Sequence, residues 1–250
     1  MRVKAIKTKL VKPGDDLLQI IEQSIAQIPE QSVLAVTSKI ISYAQNQLVP
    51  IAATKKKDKI AWVKKEAELY YGPYSSYKLM LAIKNNTLCV NAGIDSSNAQ
   101  NQLVLWPKNL QQETNRIWQF LRDHYHVKQV GVIVTDSKTT PLRWGVTGTC
   151  LAHCGFKALR ECRGDKDLFG YTLTMVQVNV AEALAVAATF EMGEVAEQTP
   201  LAIINSPSQV EWQDRVPSKK ELDELLISLD EDVYAPMLTA IPWQKGDKLG

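Results

Sequence analysis

The chain has 250 residues, of which 45% are apolar and 22% charged, and a formal net charge of +2. That length supports one or two closely packed domains with a sizeable core, and the composition is that of an ordinary globular protein. So small a net charge lends nothing to a nucleic-acid-binding role, and no apolar run reaches the ~20 residues that span a bilayer.

Residues 2–6 alternate as an opening strand. The basic start without a secretory h-region points to the cytoplasm, where Cys89, Cys150, Cys154 and Cys162 read as reduced thiols. Pro13-Gly14 interrupts the chain, and Asp15 stands where it would N-cap a helix with the stripe Leu17, Ile21, Ile25 and Ile28, ended by Pro29. Val33–Val36 reads as a short buried strand running into Thr37-Ser38-Lys39 and a helical 40–44. A strand, a turn with a lysine and a helix start together make an anion site, because free N–H groups and an ammonium share one place.

Lys55, Lys56, Lys57 and Lys59 form a basic run before a helical pattern over 60–69, which reads as a solvated face. Gly72-Pro73 marks a break, and Leu79–Ile83 with Leu88–Val90 predicts a hairpin. Leu110, Ile117, Trp118, Leu121 and Tyr125 recur at helical spacing and read as core. His124 and His126 lie at that helix's end and, two apart, share no helical face.

Val130–Val134 is a buried-strand run, after which Ser137–Thr149 predicts a polar, irregular functional loop. Arg163–Gly170 is again too polar for a core. Thr172–Val180 alternates as a strand, 181–192 is a small-residue helix, and Leu201–Ile204 is a last buried strand. Ser218 and Glu221 fit a capping box, ahead of Leu222, Leu225, Leu226 and Leu229, which predict a docked terminal helix.

Two strands end in acid: 88–90 runs into Asn91-Ala92-Gly93-Ile94-Asp95 with Ser97 and Asn98, and 130–134 into Thr135-Asp136-Ser137. Two such carboxylates suit a magnesium or manganese ion, which takes oxygen ligands and leaves part of its shell to substrate phosphates. The same residues equally serve as a helix cap at Asp95 and a turn closure at Asp136. Cys150, His153, Cys154 and Cys162 match none of the usual zinc spacings and read as small buried side chains. The chain contains no G-x-x-x-x-G-K-[ST], G-x-G-x-x-G or G-x-S-x-G.

These motifs together resemble the CofE-type coenzyme F-420-0:L-glutamate ligase (gamma-glutamyl ligase) family. The likeness runs from Pro13-Gly14-Asp15-Asp16-Leu17 through Val36–Ser42, is most specific at Asn91–Asn98 and Val134-Thr135-Asp136, and continues through Arg163-Gly164, Asp167 and Gly170 to Met192-Gly193. The resemblance implies an α/β protein of CofE-like fold, two tightly associated mixed α/β domains that form a homodimer. One domain would take residues 1–78 with 190–250; the other, 79–189, would carry the metal-binding loops. It also implies a GTP- and divalent-metal-dependent ligase that adds L-glutamate to a small acid through an acyl phosphate. Magnesium or manganese, and potassium as a further cation, are its implied cofactors.

On that resemblance Asp95, Asp136 and Ser137 match metal ligands. Ser38, Lys39 and Asn98 match nucleotide contacts, as does the loop Met192–Thr199 that opens with Met192, Gly193 and Glu194. Arg143 and Arg163 are candidates for a catalytic clamp, since guanidinium binds phosphate or carboxylate bidentately. The chain departs from the family at Tyr43, where a lysine is usual, at Thr140, where an arginine is usual, and at Gly148, where a carboxylate is usual. The acid therefore need not be the deazaflavin coenzyme precursor, and the alternative reading is a non-catalytic homologue that binds a nucleotide, a small ligand or a protein partner.

Overall fold

The two apolar runs of the sequence become the middle of a sheet. The computed structural model describes residues 1–52, 55–74 and 77–247. In chain order the first half comprises β1 (Arg2–Ile6), α1 (Leu17–Ser24), β2 (Ser32–Thr37), α2 (Ser38–Ala44), β3 (Leu48–Pro50), α3 (Lys55–Glu66), β4 (Leu69–Tyr74), β5 (Leu79–Lys84), β6 (Thr87–Val90), β7 (Gln102–Val104) and α4 (Leu110–Tyr125). The second half comprises β8 (Val130–Thr139), β9 (Val146–Cys154), β10 (Leu159–Glu161), β11 (Gln177–Asn179), α5 (Val180–Met192), β12 (Leu201–Asn205), α6 (Lys219–Asp223), α7 (Ala235–Leu238) and β13 (Gln244–Lys245).

Five strands form the central sheet in the order β1-β12-β2-β8-β9, in which β2 and β8 are parallel and every other neighbour is antiparallel. Both faces are covered, so β2 and β8 read as unbroken apolar runs. Leu34, Val36, Val132 and Val134 pack with α1, α2 and α4, while Val33, Ala35 and Ile133 face α5 from the other side. Each valine, leucine or isoleucine among them, fully buried, contributes about 1.5–3 kcal/mol.

A second, antiparallel sheet, β13-β4-β5-β6, carries its own small core around Val63, Tyr70, Met80 and Leu103. Two-stranded ribbons pair β3 with β7 and β10 with β11. Boundaries at 78/79 and 189/190 run through these sheets. The first segment supplies β1, β2 and β12 of the central sheet and the second β8 and β9, while β4 of the first pairs with β5 of the second. The fold is thus mixed α/β. Among the described residues no helix is long and apolar enough to cross a membrane.

Several local expectations change. Asp16, one residue later than expected, caps α1 through Leu18 N–H at 2.9 Å, because the Asp15 carboxylate turns back to accept from Lys12 N–H. Ile25 leaves the helix in extended conformation, although Ile25 and Ile28 are buried as the stripe predicts. Leu69 belongs to β4, not to α3, and Gly72-Pro73 lies within that strand at a register shift. The expected irregular loop 137–149 is largely a hairpin, since cross-strand pairing extends to Thr139 opposite Val146. In the stretch 172–180 only β11 is strand; residues 172–176 are exposed except the half-buried Leu173, and Val180 already opens α5. The capping box at Ser218 and Glu221 is formed, but α6 ends after five residues, buries none of them and leaves Leu226 exposed.

Small residues bring α5 close to β9: Ala181, Ala185 and Ala188 are all buried against the sheet. A Cβ on Gly148 would stand 2.4 Å from the Ala185 carbonyl oxygen and from Thr189 Oγ1. Gly148→Ala should therefore push α5 off β9 and cost about 1–3 kcal/mol, measurable as a lower urea midpoint. A midpoint equal to that of the unchanged protein would contradict this packing.

Candidate active site

The carboxyl ends of neighbouring parallel strands are where open α/β sheets leave room for ligands. Here β2 and β8 end side by side, with Thr37 opposite Thr135 in the register. A cavity of about 650 Å³ opens beyond them. Ser38, Lys39, Asp95, Asn98, Asp136, Ser137, Met192, Gly193 and Glu194 all line it, so nine of the residues singled out in the sequence converge on one cleft.

Asp95 reaches the cleft from the second sheet. Asn91 and Ala92 adopt left-handed conformations (φ 54° and 52°) that turn the chain sharply after β6. Asp95 and Val104 then exchange backbone hydrogen bonds of 3.0 and 2.9 Å, closing the intervening loop. The Asp95 carboxylate accepts from Ser97 N–H at 2.8 Å and from Ser97 Oγ, and forms an ion pair with Lys39. The Lys39 ammonium also donates to Ser97 Oγ at 3.0 Å. Burial pushes the Asp95 carboxyl up, but Lys39 and the Ser97 donors outweigh it and hold it below the usual carboxylate range.

The facing wall comes from β8 and the segment after α5. Asp136 accepts from Ser137 N–H at 2.8 Å and from the indole N–H of Trp106. Its carboxyl is pushed up to about 6, by burial first and then, with smaller weight, by the negative charge of Asp95. The Ser137 hydroxyl donates to Glu194 at 2.7 Å, and Asn98 Nδ2 donates to the Val195 carbonyl at 2.7 Å. The two acidic loops and the 193–199 segment are thus tied together around the opening. Tyr43, one of the departures noted above, donates its hydroxyl to the Asn98 carbonyl at 3.0 Å and so braces the same loop. Thr189, another lining residue, carries a buried hydroxyl with no hydrogen-bond partner.

The two arginines do not join this group. Arg143 is exposed near the tip of the β8–β9 hairpin and donates to the Leu142 carbonyl, because the extended pairing carries that tip away from the strand ends. Arg163 is exposed too, and Glu161 holds it in a two-point contact. The cations that line the cleft are lysines, Lys9, Lys12 and Lys39, of which Lys39 pairs with Asp95. The cysteines are free, and His153 and Cys154, successive on β9, lie on opposite faces of the sheet. Burial lowers the His153 imidazole to about 4.

Sequence reading missed Trp106. Its signal was available: a tryptophan closing an apolar strand is buried, and a buried indole N–H usually finds an acceptor.

Among the described residues no three His, Cys, Asp or Glu side chains form a complete metal centre. The donor set nonetheless suits a hard cation that draws its other ligands from water and phosphate: two carboxylates and a serine hydroxyl, with Asp136 half-buried and without a direct ion pair of its own.

The raised Asp136 carboxyl has a consequence for stability. Below roughly pH 4 it is protonated in both folded and unfolded chains and contributes nothing. Between that pH and about 6 the unfolded chain ionises first, so the folded state loses stability, and the loss is complete above about 6. Asp136→Asn keeps an acceptor for Trp106 and cannot ionise. In chelator-treated buffer its melting temperature should match that of the unchanged protein at pH 4 and exceed it at pH 7; parallel curves would refute the raised value.

Comparison with known proteins agrees with the convergence of these motifs. The family profile described as F420-0:Gamma-glutamyl ligase matches residues 5–206. The chain is 32% identical over 208 residues to the coenzyme F420:L-glutamate ligase of Methanopyrus kandleri, covering 77% of this chain and 81% of that protein. It is 28% identical over 253 residues to the enzyme of the same name from Archaeoglobus fulgidus, covering 93% and 96%. A third protein of that name, from Methanocaldococcus jannaschii, is 36% identical over 121 residues, 48% of each chain. The profile takes in both acidic loops, the β2 and β8 strand ends and the segment after α5, and the chain belongs to the F420-0:gamma-glutamyl ligase family.

Proposed function

We propose that the chain is a GTP- and divalent-metal-dependent ligase that forms an amide between L-glutamate and an acid of the coenzyme F420-0 class. The observation that carries this reading is the meeting of Asp95 and Asp136 with the Lys39 ammonium in one cleft beyond parallel strands. Phosphoryl transfer to a carboxylate asks mainly for positioning and charge neutralisation, and those groups supply both. The printed names of the relatives support glutamate addition as the reaction and an F420 precursor as the acid.

In this reading Asp95, Asp136 and Ser137 hold magnesium or manganese, which when bound screens the charge of the nucleotide phosphates. Lys39 exchanges Asp95 for phosphate and steadies the charge that builds up as the phosphoryl group moves to the acid. Asn98 and the segment 192–199 hold the nucleotide, and the unpartnered Thr189 hydroxyl supports a polar ligand nearby. GDP leaves as the γ-phosphoryl group joins the carboxylate. The acyl phosphate that results is attacked by the glutamate amine, and the amide forms as inorganic phosphate and a proton from the amine leave. The chain acts as a homodimer. Exposed apolar side chains at Leu142, Trp144, Leu168, Phe169 and Phe190 support a covered surface there.

One observation favours a second reading, a homologue that binds ligands without ligating them. Gly148 is pressed against α5 and leaves no space for the carboxylate usual at that position. Two measurements separate the readings. GTP with manganese should raise the melting temperature more than either alone, and Asp136→Asn should remove the metal-dependent part. Incubation with F420-0, GTP, manganese and L-glutamate should give a product heavier by one glutamyl residue in mass spectrometry. Stabilisation without that product supports the binding homologue; no stabilisation by any nucleotide with metal overturns the ligase reading.

A further inference from the structure

The two carboxylates of the cleft are held by different chemistry. Asp95 is met by a cation, Lys39, so much of its charge is neutralised within the protein. Asp136 is met by neutral donors only, the Ser137 backbone N–H on one oxygen and the Trp106 indole N–H on the other. A carboxylate oxygen accepts through two lone pairs. Each Asp136 oxygen therefore keeps one for a further ligand, in a plane that the two donors fix.

The indole that sets that plane is itself immobilised. Trp106 is 7% exposed. On one side it meets the chain at Gly93, where a Cβ would come within 2.0 Å of the ring. Over the ring stands the Lys84 ammonium, 5.5 Å from its centre, which is held by Glu66 at 2.9 Å. Lys84 and Glu66 side chains are only 9% and 10% exposed. An ion pair so enclosed, with one partner over a tryptophan face, fixes the ring more firmly than a surface pair would. None of Glu66, Lys84 and Gly93 lines the cleft.

We propose that Trp106 is a positioning residue for the metal-binding carboxylate: clamped between Gly93 and the Lys84–Glu66 pair, it presents Asp136 to the cation through its indole N–H. The proposal rests on the metal reading of the cleft given above. Hydrogen-bond partners of ligating groups typically change metal affinity by about 10–100-fold when lost. Trp106→Phe keeps a flat ring on Gly93 and beneath Lys84 but removes the donor.

The test combines two readouts on the full chain labelled with ¹⁵N-tryptophan. The six tryptophans give six indole resonances, and the one lost in Trp106→Phe belongs to Trp106. That resonance should lie downfield of an unbonded indole and should move in Asp136→Asn, while the other five stay in place and report an intact fold. Manganese affinity, read from the free-ion electron paramagnetic resonance signal, should fall about 10-fold or more in Trp106→Phe. A spectrum in which none of the six indole resonances moves in Asp136→Asn overturns the proposal, and this arm needs no assignment from Trp106→Phe and so holds even if that variant fails to fold. So does a folded Trp106→Phe protein that binds manganese as tightly as the unchanged chain. An unchanged chain that binds no manganese overturns the metal reading itself, and the role of Trp106 with it.

Discussion

The cleft depends on one pairing: β2 and β8 run parallel, so their carboxyl ends open on the same edge of the sheet. Antiparallel neighbours would have sent Lys39 and Asp136 to opposite ends of the molecule. Because the pair lies in the middle of a sheet covered on both faces, the strand ends cannot shift without disturbing α1, α4 and α5 together. Rigid elements therefore deliver Ser38, Lys39, Asp136 and Ser137, and the loops have only to bring Asp95, Asn98 and Glu194 up to them. That division of labour suits a reaction driven by positioning.

Electrostatics then sets how the site rests. Asp95 and Lys39 satisfy each other, which holds the Asp95 carboxyl below its ordinary range, while Asp136 faces Asp95 across the cleft with no cation of its own and is pushed up to about 6. The Lys39–Asp95 pair is part-exposed, so its net contribution to stability is small. A weak, partly solvated pair exchanges for other partners more easily than a buried one, as the proposed reaction requires of Lys39.

Family membership and local departures have separate physical origins. The acidic loops and strand ends that carry the likeness are the parts that build the cleft floor. Tyr43 and Gly148, where the chain departs, have taken structural work: one braces Asn98 by a hydrogen bond, the other lets α5 approach β9. A charged side chain at position 148 would have to displace a helix.

The sequence by itself determined the central strands, the helices at 110–125 and 181–192, and the two acidic loops. Those depend on short-range pattern, apolar runs and turn chemistry, which survive in a linear reading. It misjudged 137–149 and 218–229, where the outcome depended on a partner. Cross-strand pairing extended one segment into a hairpin, and in the other Leu225 packs against the core but the helix stops after five residues, so the leucines form no continuous buried stripe. Arg143 and Arg163 looked suited to phosphate because their chemistry is right; only the tertiary structure decides that the hairpin and Glu161 carry them elsewhere. Trp106 shows the converse. Nothing in the spacing of residues 93, 84, 66 and 136 links them to an indole, because the contacts cross from one sheet to another. Proximity between distant segments is created by packing, and only folding could join that tryptophan to the acid it holds.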